Sequence, residues 1–184
     1  FGTNPVAAIF PRRDGDPLML DLSLSEVARG KLMVAAREGR SIPAGWALDS
    51  EGLPTTDPQA GMDGMMLALG GGAKGAMLAL MVELLVSAVI GAQFSFEAST
   101  FFVDEGNQPG LGQVFVVLDP GALAGSSSFL DRVEHLVAEM LRDDNVRLPG
   151  ARRLALERHA SVEGLTLSDE LHQQLLALAE APTH

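Results

Sequence analysis

Residues 76–92 read AMLALMVELLVSAVIGA, the most apolar stretch of the chain, and no other feature limits the fold so tightly. The run is shorter than the ~20 residues a membrane span needs, and Glu83 stands at its centre. It predicts a helix buried in a soluble protein, so the rest of the sequence must supply the layers that bury it. Glu83 on such a helix is either a carboxylate satisfied by buried partners or a catalytic one, and the first is expected. With 184 residues, 47% of them hydrophobic, the chain suffices for one domain with a real core.

Composition then removes classes of function. A net charge of −11 repels phosphate backbones and anionic lipid, so neither nucleic acid nor membrane is an expected partner. The absence of Cys excludes disulfide frameworks, zinc ribbons and thiol nucleophiles. His135, His159, His172 and His184 have no HxxxH or HExxH spacing, so no metal site is expected. Aromatic residues are only 5% of the chain, too few for stacking platforms. The sequence opens FGTNPV, without an initiator Met or a signal-peptide pattern, and is expected to be a piece of something longer.

Periodicity gives an α/β pattern. Residues 5–10 and 18–22 are short apolar segments separated by RRDGDP, which predicts two strands and a turn. Ser25 stands before EVARGKLMVAAREG, a helix of modest length closing at Gly39, with Gly30 inside it. Residues 41–64, with Pro43, Gly45, Pro54 and Pro58, read as a long irregular loop, a type that is usually functional. After the apolar helix come a strand candidate at 94–102 and a clearer one, QVFVVL, at 113–118. Residues 126–144 form an amphipathic helix with Phe129, Val133, Leu136, Val137, Met140 and Leu141 on one face. RLPGARR leads into short helical material, and a last helix begins with Ser168 or Asp169 as its cap. A mixed, largely antiparallel sheet covered by helices fits better than a doubly wound fold, because strict strand–helix alternation is missing.

Gly70, Gly72 and Gly75 satisfy G-x-G-x-x-G before a helix, with Glu97 at about the distance of a dinucleotide fingerprint. The preceding MDGMML lacks the β-branched residues of a buried first strand and no second βαβ unit follows, so a tight helix-entry turn is the better reading. That turn still sets Lys74 at a helix start, where dipole and ammonium both attract an anion. Asp21, Ser23 and Ser25 alternate along DLSLS and point to one face, either as a site or as a strand running into a helix cap. Arg147, Arg152 and Arg153 around LPG are either solvated charges or a local anion clamp.

Taken in order, FGTNP, D-x-S-x-S with Gly30 downstream, IPAGWALD..GLPTTDP, GG.KG followed by LALMVELL, and RLPG.RR resemble the malate/L-lactate dehydrogenase type 2 family of non-Rossmann NAD(P)H oxidoreductases. GAQFSFE and GQ.F.V.DP are most similar to its branch that reduces Δ1-piperideine-2-carboxylate and Δ1-pyrroline-2-carboxylate. The resemblance runs over nearly the whole chain and implies that residues 1–184 are the cofactor-binding domain with C-terminal helices, the family's N-terminal helical region lying outside them. It implies a cofactor cradled by residues 21–27, which include Ser23 and Ser25, by Ala73 and Lys74, and by Gly150, Ala151 and Arg152, with Asp21 as the catalytic group in this chain. The family's proton-donor His belongs to the N-terminal region, and none of the four His here matches its motif. A cytoplasmic homodimer acting on a small cyclic imino acid or 2-oxo acid follows from the same resemblance. A second polypeptide carrying the N-terminal region is a further expected partner.

NADPH is expected before NADH. The resemblance favours it, and Arg29, one turn beyond D-x-S-x-S, is either a solvated helix residue or a fork for the 2′-phosphate. The alternatives to imine reduction are a malate/lactate-type 2-hydroxy-acid dehydrogenase and a noncatalytic partner subunit that keeps the fold.

Overall fold

The protein is described by a computed structural model over residues 2–99, 106 and 108–180. The RRDGDP turn does what its composition predicts: strands β1 (Val6–Phe10) and β2 (Leu18–Leu22) form an antiparallel hairpin, in register from Val6 opposite Leu22 to Phe10 opposite Leu18. A two-stranded ribbon is marginal alone, and this one is tied to the C-terminal helices by charge. Arg12 donates through Nε and Nη2 to the two carboxylate oxygens of Glu134 (3.2 and 2.7 Å) on α4 (Ser126–Met140). The Arg13 backbone N–H adds a third bond to Glu134, at 3.0 Å, and the Arg13 side chain pairs with Asp131 at 2.6 Å. Beyond it, α5 (Ala151–Glu163) reaches the same hairpin through Arg158 to Asp16 and Arg153 to Asp21.

The core lies around α1 (Arg29–Arg37). Val27, Leu32, Ala35, Ile42 and Ala47 are buried together, with Trp46, Met62 and Met66 packed against them. Leu32 is wholly inaccessible, a burial that contributes about 2 kcal/mol. The helix starts at Arg29 with Ala28 as its uncapped N-terminal residue, so Ser25 is not a helix cap. Its hydroxyl bonds the Val27 carbonyl and its backbone bridges Ala68 instead.

Residues 41–64 are not an irregular loop. They carry β3 (Ala47–Leu48), β4 (Pro54–Thr55) and α2 (Pro58–Asp63), and β5 (Met65–Met66) follows, giving a small antiparallel sheet in the order β4-β3-β5. Two-residue strands are too short to show a period, and Pro58 begins α2 with Asp57 accepting from the Gln59 N–H. A Cβ on Gly61 would lie 2.8 Å from that of Ala47, so α2 sits directly on the core.

α3 (Ala73–Glu83) runs into a π-helical turn, Leu84–Ala88, and α6 (Asp169–Glu180) closes the chain, its Leu171 N–H bonded to Ser168 Oγ at 3.3 Å. The strand expected at 113–118 is absent: these residues pair with no strand among the described residues, and Phe115 and Val117 are 84% and 92% exposed. A β-pattern needs a partner edge, and none is found among the described residues. Of the candidate at 94–102, residues 94–98 form a turn, with the Glu97 and Ala98 N–H groups on the Phe94 carbonyl, and 100–102 lie outside the described residues. The result is a mixed α/β fold with small antiparallel sheets. No helix among the described residues is long and apolar enough to cross a membrane.

Arg12 holds the Glu134 carboxyl below the usual carboxylate range, against a smaller opposing push from burial. A carboxylate depressed in the folded state stabilises above its unfolded value and loses that contribution as pH falls through its folded one. The gap in thermal midpoint between wild type and Glu134→Gln should therefore be widest at neutral pH and close only in acid below the ordinary carboxylate range. A gap independent of pH in thermal melts would show that the ion pair does not clamp the hairpin.

Candidate functional site

Beyond β2 the chain becomes a seam between three parts of the fold. The Leu24 N–H donates to the Thr3 carbonyl (2.7 Å), while the Leu24 carbonyl accepts from Leu69 N–H (2.8 Å) and Glu26 N–H donates to the Leu67 carbonyl (2.7 Å). The Glu26 carboxylate reaches on to the Gly70 N–H at 2.8 Å and so fixes the glycine turn. Ser23 and Ser25 share a hydroxyl–hydroxyl bond of 2.6 Å, and Ser25 is buried. DLSLS thus places its serines together, as alternation along a strand requires.

The glycines of 70–75 have separate roles. Gly70 and Gly71 form a tight helical turn, Leu69–Gly71, at φ +73° and +62°, a region that favours glycine. Gly75 is buried under Leu69, whose carbonyl oxygen would lie 1.9 Å from an added Cβ. Gly72, by contrast, has the extended φ of −135° that any residue adopts, and its nearest neighbour to an added Cβ is the Gly70 carbonyl oxygen at 3.7 Å. Its lack of a side chain leaves space in a cavity of about 300 Å³, whose walls include Gly2, Ser25, Met66, Ala68, Gly72 and Ala73.

Ser25 and Ala73 therefore meet at one cavity, with Ser23 behind Ser25 and Lys74 beside Ala73. Lys74 is exposed in the first turn of α3 and forms no ion pair among the described residues, and no side chain caps that helix. An anionic group entering there would find an ammonium and the free N–H groups of a helix start.

The other expected residues stand apart. Arg29 lies on α1, exposed, with Nη1 on the Met62 carbonyl (3.1 Å), and does not line the cavity. Gly150 closes against β2: a Cβ there would meet that of Met19 at 2.9 Å, and the Met19 N–H reaches the Pro149 carbonyl at 3.4 Å. Ala151 and Arg152 open α5 from this docking point. Arg153, rather than Arg152, then pairs with Asp21 at 2.7 Å. Sequence reasoning missed Gly2 as part of the cavity wall, and Thr3 and Asn4 as the residues that tie it to the seam. No pattern in the sequence marks Asn4, whose φ of +39° before a proline shows only in the structure.

Gly75→Ala should cost about 1–3 kcal/mol or more, because the Leu69 backbone must move, whereas Gly72→Ala should stay within about 0.5 kcal/mol. Urea midpoints measure both, and equal losses would mean that the turn does not divide its glycines this way.

The chain matches the malate/L-lactate dehydrogenase family over residues 1–176. It is 50% identical over 179 residues to a (2R)-3-sulfolactate dehydrogenase (NADP(+)) of Chromohalobacter salexigens, covering 97% of this chain and 53% of that one. It is 41% identical over 184 residues to a Δ1-pyrroline-2-carboxylate/Δ1-piperideine-2-carboxylate reductase of Pseudomonas aeruginosa, covering 98% and 54%. The crystal structure of Δ1-piperideine-2-carboxylate reductase from Pseudomonas syringae pv. tomato superposes with a TM-score of 0.84 at 38% identity, over 95% of this chain and 52% of that one. The chain spans about half the length of the curated relatives it matches. On the family match, the identities and the superposition together, this chain belongs to the malate/L-lactate dehydrogenase family.

Proposed function

We propose that this chain is the cofactor-binding part of an NADPH-dependent reductase acting on C2 of a small cyclic 2-imino carboxylate. The observation that carries the reading is the cavity between Ser25 and the glycine turn, where Gly72 leaves room for a ligand beside Lys74 and an uncapped helix start. When bound, the nicotinamide cofactor supplies the hydride. The residues here bind and orient. Lys74 and the first N–H groups of α3 hold a phosphate, Ser25 walls the cavity with Ser23 behind it, and Gly150, Ala151 and Arg152, docked on β2, are assigned to a more distant part of the cofactor. Asp21, paired with Arg153 at 2.7 Å, is assigned as the catalytic group of this chain. The proton that completes reduction comes from a His outside these residues.

Arg29 is assigned to the 2′-phosphate of NADPH, for which its exposed guanidinium has donors beyond the one engaged with Met62. The 50% identical relative is named for NADP(+), which supports this cofactor over NADH. That same relative favours a second reading, oxidation of a 2-hydroxy acid such as a sulfolactate.

Surface area supports a need for further polypeptide. The chain exposes 13660 Å², against the roughly 8,500 Å² expected of a compact monomer of its mass. Met77, Met81, Leu84 and Leu85 on and beyond α3, together with 113–118, are assigned to contacts with the remaining part of the enzyme, in a homodimer or with a second chain.

Titration with NADPH should give weak binding to this chain and no turnover of Δ1-piperideine-2-carboxylate. Oxidation of NADPH by the chain alone at ordinary enzymatic rates, ~1–10³ per second, would overturn the assignment as a part. Lys74→Ala should weaken NADPH by on the order of 1–3 kcal/mol without lowering the melting temperature. In the complete enzyme, Arg29→Ala should raise KM for NADPH and leave that for NADH nearly unchanged. Equal effects would remove Arg29 from the site, and faster turnover of sulfolactate than of the imine would select the second reading.

A further inference from the structure

The proposed site uses no part of Glu83, the one buried acid among the described residues. It is 5% exposed at the end of α3, where the helix widens into its π turn. Ser95 donates to it through both its hydroxyl and its backbone N–H, and Ser87 Oγ adds a bond at 3.3 Å. Burial alone would push this carboxyl up, but the donors from Ser95, Asn4 and Ser87 outweigh it and hold the group below the usual carboxylate range. Glu83 is therefore an ionised acceptor with its hydrogen-bonding capacity engaged.

The network does not end at the carboxylate. Ser95 Oγ also lies 3.3 Å from Asn4 Oδ1, and Asn4 Nδ2 donates to the Ala79 carbonyl one turn back on α3, at 2.9 Å. These bonds grip a residue whose positive φ, just before Pro5, its backbone would not adopt unaided. The next residue back, Thr3, accepts from the Leu24 N–H. Contacts thus run from the buried acid to residues 2–4, of which Gly2 lines the cavity.

We propose that Glu83 is a positioning residue: through Ser95 and Asn4 it fixes the Gly2–Asn4 strap, and through Thr3 the strap sets Leu24 at the cavity wall. A carboxylate sealed in a core needs partners in any case. What exceeds that need is that Asn4 engages both the carboxylate and the α3 backbone, that Ser95 Oγ sits against Gly2, and that Asn4 adjoins the seam. Ser87 provides the contrast, since it bonds Glu83 and the Gln93 carbonyl but leads nowhere near the strap.

Amide hydrogen exchange of the 184-residue chain tests the coupling without any ligand. In Glu83→Gln and in Ser95→Ala the Leu24 amide should exchange roughly tenfold faster. The Ile42 amide, bonded to the Thr56 carbonyl in the α1 core, should keep its rate, and Ser87→Ala should change neither. Ser95→Ala leaves the carboxylate in place, so the comparison survives a failure of Glu83→Gln to fold. An unchanged Leu24 rate in Ser95→Ala, or equal acceleration at Leu24 and Ile42, would overturn the proposal.

NADPH titration adds a readout that rests on the cofactor reading of the cavity. Affinity should fall about fivefold in Ser95→Ala and hold in Ser87→Ala. Faster Leu24 exchange with unchanged affinity would overturn the positioning role. Faster Leu24 exchange in a wild-type background that binds no NADPH would retire the cofactor reading and leave the coupling standing.

Discussion

Three consecutive residues, Leu24 to Glu26, carry hydrogen bonds to both sides of the chain, and the other parts of the fold are arranged around them. On one side is the Thr3 carbonyl, on the other Leu67 and Leu69, so the hairpin, the small sheet and the glycine turn share one seam. Buried backbone groups must be paired, and Leu24 is 4% exposed, so the seam admits little slack. A displacement of one residue along it would send Ser25 out of the cavity wall and Leu24 into water.

Charge does a different job at the opposite end of the hairpin. In a chain with an excess of acid, three arginines, Arg12, Arg13 and Arg158, hold α4 and α5 at the hairpin turn, and Arg153 adds a pair to Asp21 nearer the cavity. Exposed pairs of this kind contribute little singly. Arg12 with Glu134 is different, because the fork engages both carboxylate oxygens and the arginine side chain is 15% exposed. The hairpin thus has a hydrogen-bonded end at the cavity and an ionic end at its turn.

What could be read from the sequence follows from this division. The hairpin, α1 without its start, the apolar helix and the amphipathic helix were legible because each has a period or a turn of its own. The sheet within 41–64 was not, since its strands are two residues long and its proline at position 58 starts a helix instead of breaking one. The strand expected at 113–118 is a continuous apolar run, but a strand needs another edge to meet it and none does among the described residues. Of the site, the serines and the glycine turn could be found by spacing, and the family resemblance supplied the chemistry. Asn4 and Ser95 could not, because they act through contacts between segments about ninety positions apart.

The unequal demands on the glycine turn also set where this protein can diverge. Gly70 and Gly71 are fixed by backbone angle and Gly75 by the oxygen it lies against, so drift at those positions meets the fold first. Gly72 is free of both constraints and faces the cavity, which makes it the position where a lineage could trade ligand for ligand without rebuilding the protein. In a library of natural or engineered variants, replacements at 72 would survive as folded chains with altered tastes, while those at 75 would be lost before selection could act on them.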